Sequence, residues 1–264
     1  MSVIDLKAEG VALFKDQEWY RAIEKFEKAL ESLTTGSVTS CGSSVLYRTD
    51  SGDYRSGIVS DFDEGLVEVL FDDAEDEEVQ AKPSKLTPIA EDRELQRSLY
   101  MNCARAEFKL GKNGRSANKA SLALAVTRVL DGGFRAETSL QGEDDAFRKK
   151  MADGLSIRGQ ALLKAGKHVM AQQHADLLIG EGIDEAKGKA LAKEVLAFRT
   201  KRMKSNRELS KQLASWVEVA MEENQKITKE QGQEEREGQE EQTPLAKEGE
   251  GEPLGEGEGE CSLQ

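Results

Sequence analysis

The cysteines and histidines are the residues of this chain best suited to bind a metal or to serve as nucleophile and base. There are three cysteines, Cys41, Cys103 and Cys261, and two histidines, His168 and His174. The cysteines are odd in number and far apart, which indicates a reducing compartment and no disulfide framework. Two histidines offer little for a metal site or a catalytic pair, and we expect both on the surface of one helix. With no phosphate-binding GxxxxGK[ST] motif and no nucleophile elbow, the sequence predicts neither an enzyme nor a cofactor.

The last four residues, CSLQ, form a candidate lipidation site. Cys261 stands fourth from the end, Leu263 is aliphatic, and Gln264 is accepted as the last residue for farnesylation. The Gly-rich lead PLGEGEGE would let a prenyltransferase reach the cysteine. Anionic lipid would repel the neighbouring glutamates, so a lone farnesyl group would give weak, reversible membrane binding or a handle for a protein partner. The alternative is that the ending matches the motif by chance.

Charge is distributed unevenly along the 264 residues, whose formal net charge is −13. Residues 34–92 carry −10 and residues 227–264 carry −9, whereas residues 93–226 carry +8. Acidic segments repel nucleic-acid phosphates and suit basic protein partners, so we expect protein ligands and no nucleic acid. No apolar run is long enough to cross a membrane, and MSVIDLKAEG lacks the regions of a signal peptide. We therefore expect a protein of the cytoplasm, the nucleus or both.

Apolar and small residues recur at helical spacing in three segments, each interrupted by a turn. The segments are 1–33, 98–130 and 154–179. Gly10, Ala104 and Gly159 take equivalent places on the first helix of each segment, where a small residue lets two helices approach closely. One helix hairpin cannot bury its apolar face alone, so the pattern predicts a stack of hairpins.

An amphipathic stretch over 184–223 follows the third hairpin and is predicted to form a long helix that covers it. Its apolar face consists of Leu191, Val195, Phe198, Met203, Leu209 and Leu213. The basic run 198–211, followed by Trp216, fits either a calmodulin target, a nucleic-acid stripe or, more simply, the exposed face of a capping helix. Residues 227–264 are rich in Glu, Gly and Gln and are predicted to be disordered.

The three hairpins resemble tetratricopeptide repeats (TPRs), most closely those of large immunophilins and Hsp90/Hsp70 co-chaperones. The stretch 184–223 resembles their capping helix, and the resemblance covers about half of the chain. It implies a concave groove that binds a segment of another protein. The residues placed along this groove are Lys7, Val11, Phe14, Met101, Asn102, Arg105, Phe108, Gln160 and Lys164.

In the co-chaperones, a clamp of Lys, Asn, Asn, Lys and Arg holds the C-terminal carboxylate of a chaperone peptide. Lys7 and Asn102 match two of its five positions. The other three fall on Val11, Asp153 and Ile157, so both basic residues of the third repeat are missing, and Asp153 would repel a carboxylate. The resemblance therefore implies a peptide groove without a working clamp.

Residues 34–92 interrupt the helical pattern with a different periodicity. The strand candidates are 44–48, 54–61, 65–71, 77–81 and 85–89. Ser, Thr and Gly mark the entry to this insert, and Pro83 and Pro88 mark its exit. Five short strands in so few residues predict a small SH3-like barrel, because closure removes the sheet edges. We expect it in a loop between repeats, where an insertion leaves the stack undisturbed.

The run VLYRTDSGDYRSGIVSDFDEGLVEVLFDD within this insert closely resembles a Tudor domain. In Tudor domains that bind methylated lysine or arginine, aromatic side chains hold the cation by cation–π attraction and an acid completes the cage. The resemblance places Tyr47, Tyr54 and Phe71 on cage aromatics and Asp73 on the acid, while a further aromatic after FDD is missing. The alternative is that these aromatics only cap an SH3-like barrel.

These patterns together predict a mainly α-helical protein with TPR hairpins at 1–33 and 93–226, the latter including the capping helix. A five-stranded, Tudor-like barrel is inserted at 34–92, and an acidic, disordered tail follows at 227–264. The predicted function is a non-enzymatic adaptor whose groove binds a partner protein and whose insert binds a basic peptide, methylated or not. One alternative is a co-chaperone in which the barrel is structural; a second, an isomerase or other enzyme, lacks a catalytic constellation.

Overall fold

The computed structural model describes residues 1–34, 40–50, 53–63, 65–71, 78–129 and 145–240, with side chains described as far as residue 226. The helices are α1 (Val3–Lys15), α2 (Trp19–Thr34), α3 (Arg93–Lys109), α4 (Asn113–Val129), α5 (Asp145–Lys164), α6 (His168–Gly180) and α7 (Glu185–Glu240). The strands are β1 (Ser44–Arg48), β2 (Tyr54–Asp63), β3 (Leu66–Phe71), β4 (Glu78–Ala81) and β5 (Leu86–Pro88). The prediction of a mainly helical chain with a sheet between the first two helix pairs is confirmed.

The helix pairs α1–α2, α3–α4 and α5–α6 are joined by turns of the same geometry. Each turn holds one residue in the left-handed region: Gln17 at φ 63°, Gly111 at φ 74° and Gly166 at φ 82°. That residue donates its backbone N–H to the carbonyl three residues back, and the next residue donates to the carbonyl five residues back, at 2.9–3.2 Å. The same chain reversal therefore closes all three pairs.

A small residue in the first helix of a pair lets another helix pack closely against it. A Cβ atom on Gly10 would lie 2.5 Å from Cε1 of Phe26, whose side chain is fully buried. A Cβ atom on Gly159 of α5 would collide with Cδ2 of Leu191. At this position it is the start of α7 that packs closely against the small residue. The predicted role of Gly10 and Gly159 in close helix approach is confirmed.

The strands form one antiparallel sheet with the order β4-β3-β2-β1-β5, and β2 carries an irregularity between Val59 and Asp61. One face of the sheet has its own apolar core of Val45, Val59, Val67, Val69 and Phe71. Among the described residues, β4 and β5 form the two edges and are not paired with each other. The closed barrel of the sequence prediction is therefore not shown; the coarser prediction of a five-stranded sheet is confirmed.

Part of the other face of the sheet, on β1 and the start of β2, is buried by the helices, whereas Ile58 and Leu70 on the same face are exposed. Leu46, Tyr54 and Ile89 belong to the same core cluster as Leu6 of α1 and Phe26 of α2. The insert lies between two helix pairs along the chain, as predicted, but the sheet also shares a core with the helices, which the sequence did not predict. The sheet and the helices bury apolar area that neither could cover alone. Each Å² of apolar area removed from water stabilises the fold by roughly 25 cal/mol.

Gln96 of α3 fastens the end of the insert to the helices. Its side chain is fully buried; Oε1 accepts from the Ala90 N–H at 3.0 Å, and Nε2 donates to the Pro88 carbonyl at 2.8 Å. The amide therefore pairs with the backbone as a neighbouring strand would, and no buried polar atom of this side chain is left without a partner.

The chain divides into two units, Met1–Met203 and Lys204–Gln264, and the first holds the sheet and the three helix pairs. In α7, Leu191 and Val195 are buried, whereas Met203, Leu209 and Leu213 are more than half exposed, so the predicted covering face is shorter than expected. The helix continues to Glu240, past residue 226 where disorder was predicted, because Glu, Gln, Lys and Arg are good helix formers. No helix in the described ranges has the length and apolar character needed to span a membrane.

We expect Gly10→Ala to destabilise the protein by about 1–2 kcal/mol, because the overpacking against Phe26 outweighs the gain in helix propensity. Gly114→Ala is the matched control: a Cβ atom at this helical position meets nothing within 4 Å, so the same change should stabilise by up to about 1 kcal/mol. Urea unfolding of both variants measures the difference. Equal effects of the two substitutions would contradict the close packing at Gly10.

Candidate functional site

Two of the predicted cage aromatics, Tyr47 and Phe71, lie together on the sheet. Their ring centroids are 5.5 Å apart with an interplanar angle of 59°. Tyr47 pairs with Arg55 across β1 and β2, and Phe71 pairs with Gly57 across β3 and β2. Cross-strand partners share a face, so these aromatics occupy the face of the sheet that carries its own core.

Tyr54 does not join them, which corrects the sequence prediction. It pairs with Arg48, one position along from Tyr47, and therefore lies on the opposite face of the sheet. There it is 7% exposed, and its hydroxyl donates to Oδ1 of Asn118 in α4 at 2.9 Å. Burial raises the pKa of Tyr54, which keeps the hydroxyl protonated as a donor. Tyr54 fastens the sheet to the helices.

The aromatic faces of Tyr47 and Phe71 already carry cations of this chain. Cζ of Arg55 lies 3.8 Å from the centroid of the Phe71 ring, which is 4% exposed. Nζ of Lys85 lies 5.7 Å from the centroid of Tyr47 and also pairs with Asp50 at 2.9 Å. A methylated ligand would have to displace these groups. Asp73, the predicted acid of the cage, lies outside the described residues.

The predicted groove residues lie on α1, α3 and α5, which contact each other in that order. Those with exposed or half-exposed side chains are Lys7, Val11 and Phe14 on α1, Asn102, Arg105 and Phe108 on α3, and Gln160 and Lys164 on α5. Nζ of Lys164 lies 4.3 Å from the ring centroid of Phe108, so α5 and α3 meet at this surface. The structure therefore brings these eight side chains onto three neighbouring helices.

Met101 is the exception and is corrected here. It is only 3% exposed and belongs to the core cluster that includes Leu6, Phe26 and Leu99. Because α1, α2 and α3 all contribute to this cluster, an apolar side chain at this position on α3 is drawn into the core. Met101 therefore lies in the core and is not available to a ligand.

The three departures from the carboxylate clamp have clear structural roles. Val11 and Ile157 are half-buried and pack against the core. Asp153 accepts from Nζ of Lys187 at 2.9 Å and lies 3.9 Å from Nη2 of Arg105. The carboxylate of Asp153 thus offsets the nearby positive charges that a ligand carboxylate would need.

A cavity of about 740 Å³, which the sequence did not indicate, lies where the insert meets α4, α5 and α6. The insert contributes Asp53 and Tyr54. The helices contribute Ser121, Leu124, Ala125 and Arg128 from α4, Arg158 from α5, and Met170, Gln173, His174, Asp176 and Leu177 from α6, with Glu181 just beyond. Its size is that of a site for a small organic ligand.

Two arginines and a histidine dominate the inner wall of this cavity. Arg158 is 7% exposed, and its Nη2 donates to Oδ1 of Asp53 at 2.7 Å. Burial, followed by the charge of Arg158, lowers the pKa of Arg128 to about 10. His174 is 5% exposed, and burial lowers its pKa to about 3, so the imidazole is neutral at pH 7. The expectation of two surface histidines is wrong for His174.

A signal for the buried polar groups was present in the sequence. His174 shares a helical face with Ala171, Ala175 and Leu178, all of which are buried, and this spacing could have placed it in the interior. The described residues hold no group of three or more His, Cys, Asp or Glu side chains that could bind a metal. Cys261, the predicted lipidation site, lies outside the described residues.

Neither a protein-family model nor a curated protein matches this chain.

Tyr54→Phe is expected to lower the free energy of unfolding by about 1 kcal/mol, because the hydrogen bond to Asn118 is lost while the ring stays buried. Tyr20→Phe is the control, since this tyrosine is 61% exposed. Chemical denaturation measures both. An unchanged free energy of unfolding in Tyr54→Phe would show that this contact does not fasten the insert.

His174 should make the protein sensitive to acid. Its pKa is about 3 in the folded chain against an ordinary 6.5, so only the unfolded chain takes up this proton as the pH falls through that window. The contribution of His174 to the free energy of unfolding is fully present above pH 6.5. It is lost as the pH falls towards 3, by at most about 1.4 kcal/mol per pH unit.

We expect His174→Gln to flatten the dependence of unfolding free energy on pH between about 6.5 and 3. Denaturation curves measured across this range test it, with His168→Gln as the matched loss of a histidine. Equal slopes for the wild type and His174→Gln would show that the folded protein already accepts the proton.

Proposed function

We propose that this chain is a non-enzymatic adaptor that binds a segment of a partner protein on α1, α3 and α5. The helix pairs are TPR repeats in this proposal, and the sheet is a Tudor-like, SH3-like domain. Identical turn geometry at Gln17, Gly111 and Gly166 supports the first assignment. Five short antiparallel strands in the order β4-β3-β2-β1-β5 support the second.

The observation that carries the proposal is the mixed surface of α1, α3 and α5. Val11, Phe14 and Phe108 are half-buried, so each offers an apolar patch that is already held in place by the core. Basic or amide groups flank these patches on all three helices. A surface of ordered apolar side chains beside polar groups favours binding of an extended peptide, since little side-chain entropy is lost.

The polar groups indicate the chemistry of the partner. Lys7 and Lys164 supply positive charge, so acidic side chains in the bound segment are favoured. Asn102 and Gln160 each offer both a donor and an acceptor, which suits a peptide backbone. Asp153 beside Arg105 disfavours capture of a terminal carboxylate, so we propose an internal acidic and apolar segment as the ligand.

The insert has a structural role in this proposal. Tyr54 and Leu46 are part of the helical core, and Gln96 binds the backbone at the exit of the insert. These contacts favour an insert that stiffens the helical stack. We do not include a methyl-ligand cage in the proposed function, because Tyr54 faces the helices and Arg55 covers Phe71.

Selection from a random peptide library displayed on phage tests this proposal. We expect the wild-type protein to enrich peptides with acidic and bulky apolar residues. Lys7→Glu and Lys164→Glu should each weaken binding of a selected peptide about tenfold, measured by fluorescence anisotropy, because they reverse a charge beside the apolar patches.

Lys28→Glu is the control, because it reverses the same charge at an exposed position on α2, outside the proposed binding surface. Equal loss in all three variants would show that only net charge matters and would contradict a site on α1, α3 and α5. Failure to enrich any consensus would contradict the adaptor proposal.

A further inference from the structure

The cavity between the insert and α4–α6 places two guanidinium groups and an imidazole close together. Arg128 comes from α4, Arg158 from α5 and His174 from α6. Both arginines lower the pKa of His174, with burial as the larger cause. The three groups therefore feel one another's charge, although they come from three separate helices.

His174 has hydrogen-bonding capacity that the described protein does not use. It is 95% buried, and neither Nδ1 nor Nε2 has a hydrogen-bond partner among the described residues. Leaving a buried polar group without a partner is unfavourable, and a ligand that supplies the partner removes that cost. As one of its nitrogens carries a proton, the neutral ring can donate to an oxygen in the cavity.

Two guanidinium groups, those of Arg128 and Arg158, bring positive charge to the inner wall. Arg128 and Arg158 repel each other, and the carboxylate of Asp53 counteracts that repulsion. Asp53 is 57% exposed in its side chain, so water weakens its effect. An oxyanion between the guanidiniums would be held by charge-assisted hydrogen bonds, for which arginine has the most suitable geometry.

The rest of the lining defines what kind of anion fits. Leu124, Met170 and Leu177 form apolar parts of the wall, so the ligand should carry an apolar body. Asp176 is exposed at the mouth and Glu181 is half-exposed there, which disfavours a second negative group at the outer end. A volume of about 740 Å³ admits a molecule of drug-like size.

We propose that this cavity binds a small organic anion, with a single carboxylate or phosphate held by Arg128, Arg158 and His174 and an apolar body against Leu124, Met170 and Leu177. The ligand acid would compete with Asp53 for Arg158. Binding would therefore act on the contact between the insert and α5.

Calorimetric titration of the full chain with octanoate, phenyl phosphate and inorganic phosphate tests the site. We expect the two organic anions to bind at one site and inorganic phosphate to bind more weakly, since it lacks the apolar body. Arg128→Gln and His174→Gln should each weaken binding about tenfold or more. Arg21→Gln, which removes an exposed arginine on α2, should leave it unchanged.

Two further variants keep the test decisive if Arg128→Gln does not fold. Gln173→Trp fills the cavity from an exposed position without removing a charge and should abolish binding. Asp53→Asn removes the competing carboxylate, so it should tighten binding while lowering the melting temperature of the unliganded protein. Phenyl phosphate should restore part of that loss.

Three outcomes would overturn the proposal. The first is that none of the three probes binds the wild type. The second is that Arg21→Gln weakens binding as much as Arg128→Gln, which would indicate a non-specific charge effect. The third is that Asp53→Asn weakens binding, which would show that this carboxylate helps to form the site instead of competing for it.

Discussion

One shared apolar core, in which part of one sheet face and the first helices bury each other, positions the other elements of the chain. Leu46 and Tyr54 enter it from the sheet, and Leu6 and Phe26 enter it from the first helix pair. Two small units that each lack enough apolar surface gain stability by burying it together. The same contact fixes the face of β2 that points at α4. It thereby determines that Asp53 reaches Arg158 and that Tyr47 and Phe71 lie away from the helices.

Much of the helical architecture follows from spacing alone. Gly10, Ala104 and Gly159 could be aligned in the sequence because the geometry of a helix pair demands a small residue at a fixed distance from its turn. The faces of the strands were harder to predict, since a displacement of one residue in register moves every side chain to the other face. The resemblance to a Tudor domain groups Tyr54 with Tyr47, although the strand register places the two side chains on opposite faces. Met101 was misplaced for a related reason, because burial by neighbouring helices overrides a position inferred from resemblance.

The charged cavity was beyond the reach of the sequence. Arg128, Arg158 and His174 are separated along the chain; the spacing of His174 indicates burial, but nothing in the sequence places the two arginines beside it. Only the stacking of α4, α5 and α6 brings them together, and only the insert closes one side with Asp53. Sites assembled from several elements have no local motif, so their residues become visible when the tertiary contacts are known. The aromatic face of the insert shows the converse: a motif present in the sequence is covered by Arg55, a residue of the same chain.

The attachment of the insert by Gln96 and Tyr54 has a consequence for how the chain reaches its folded state. The second helix pair cannot complete its contacts until the segment that separates it from α2 has been folded back, and closing such a loop costs entropy that grows only slowly with its length. Contacts between residues far apart in the sequence slow folding, whereas a stack of helix pairs joined by short turns would fold through local contacts. Burial of the insert against α4 therefore makes the long-range contacts of the sheet and the local contacts of the helix pairs form together during folding. Folding therefore cannot start at any hairpin and spread through neighbouring contacts alone, as it can in an uninterrupted array.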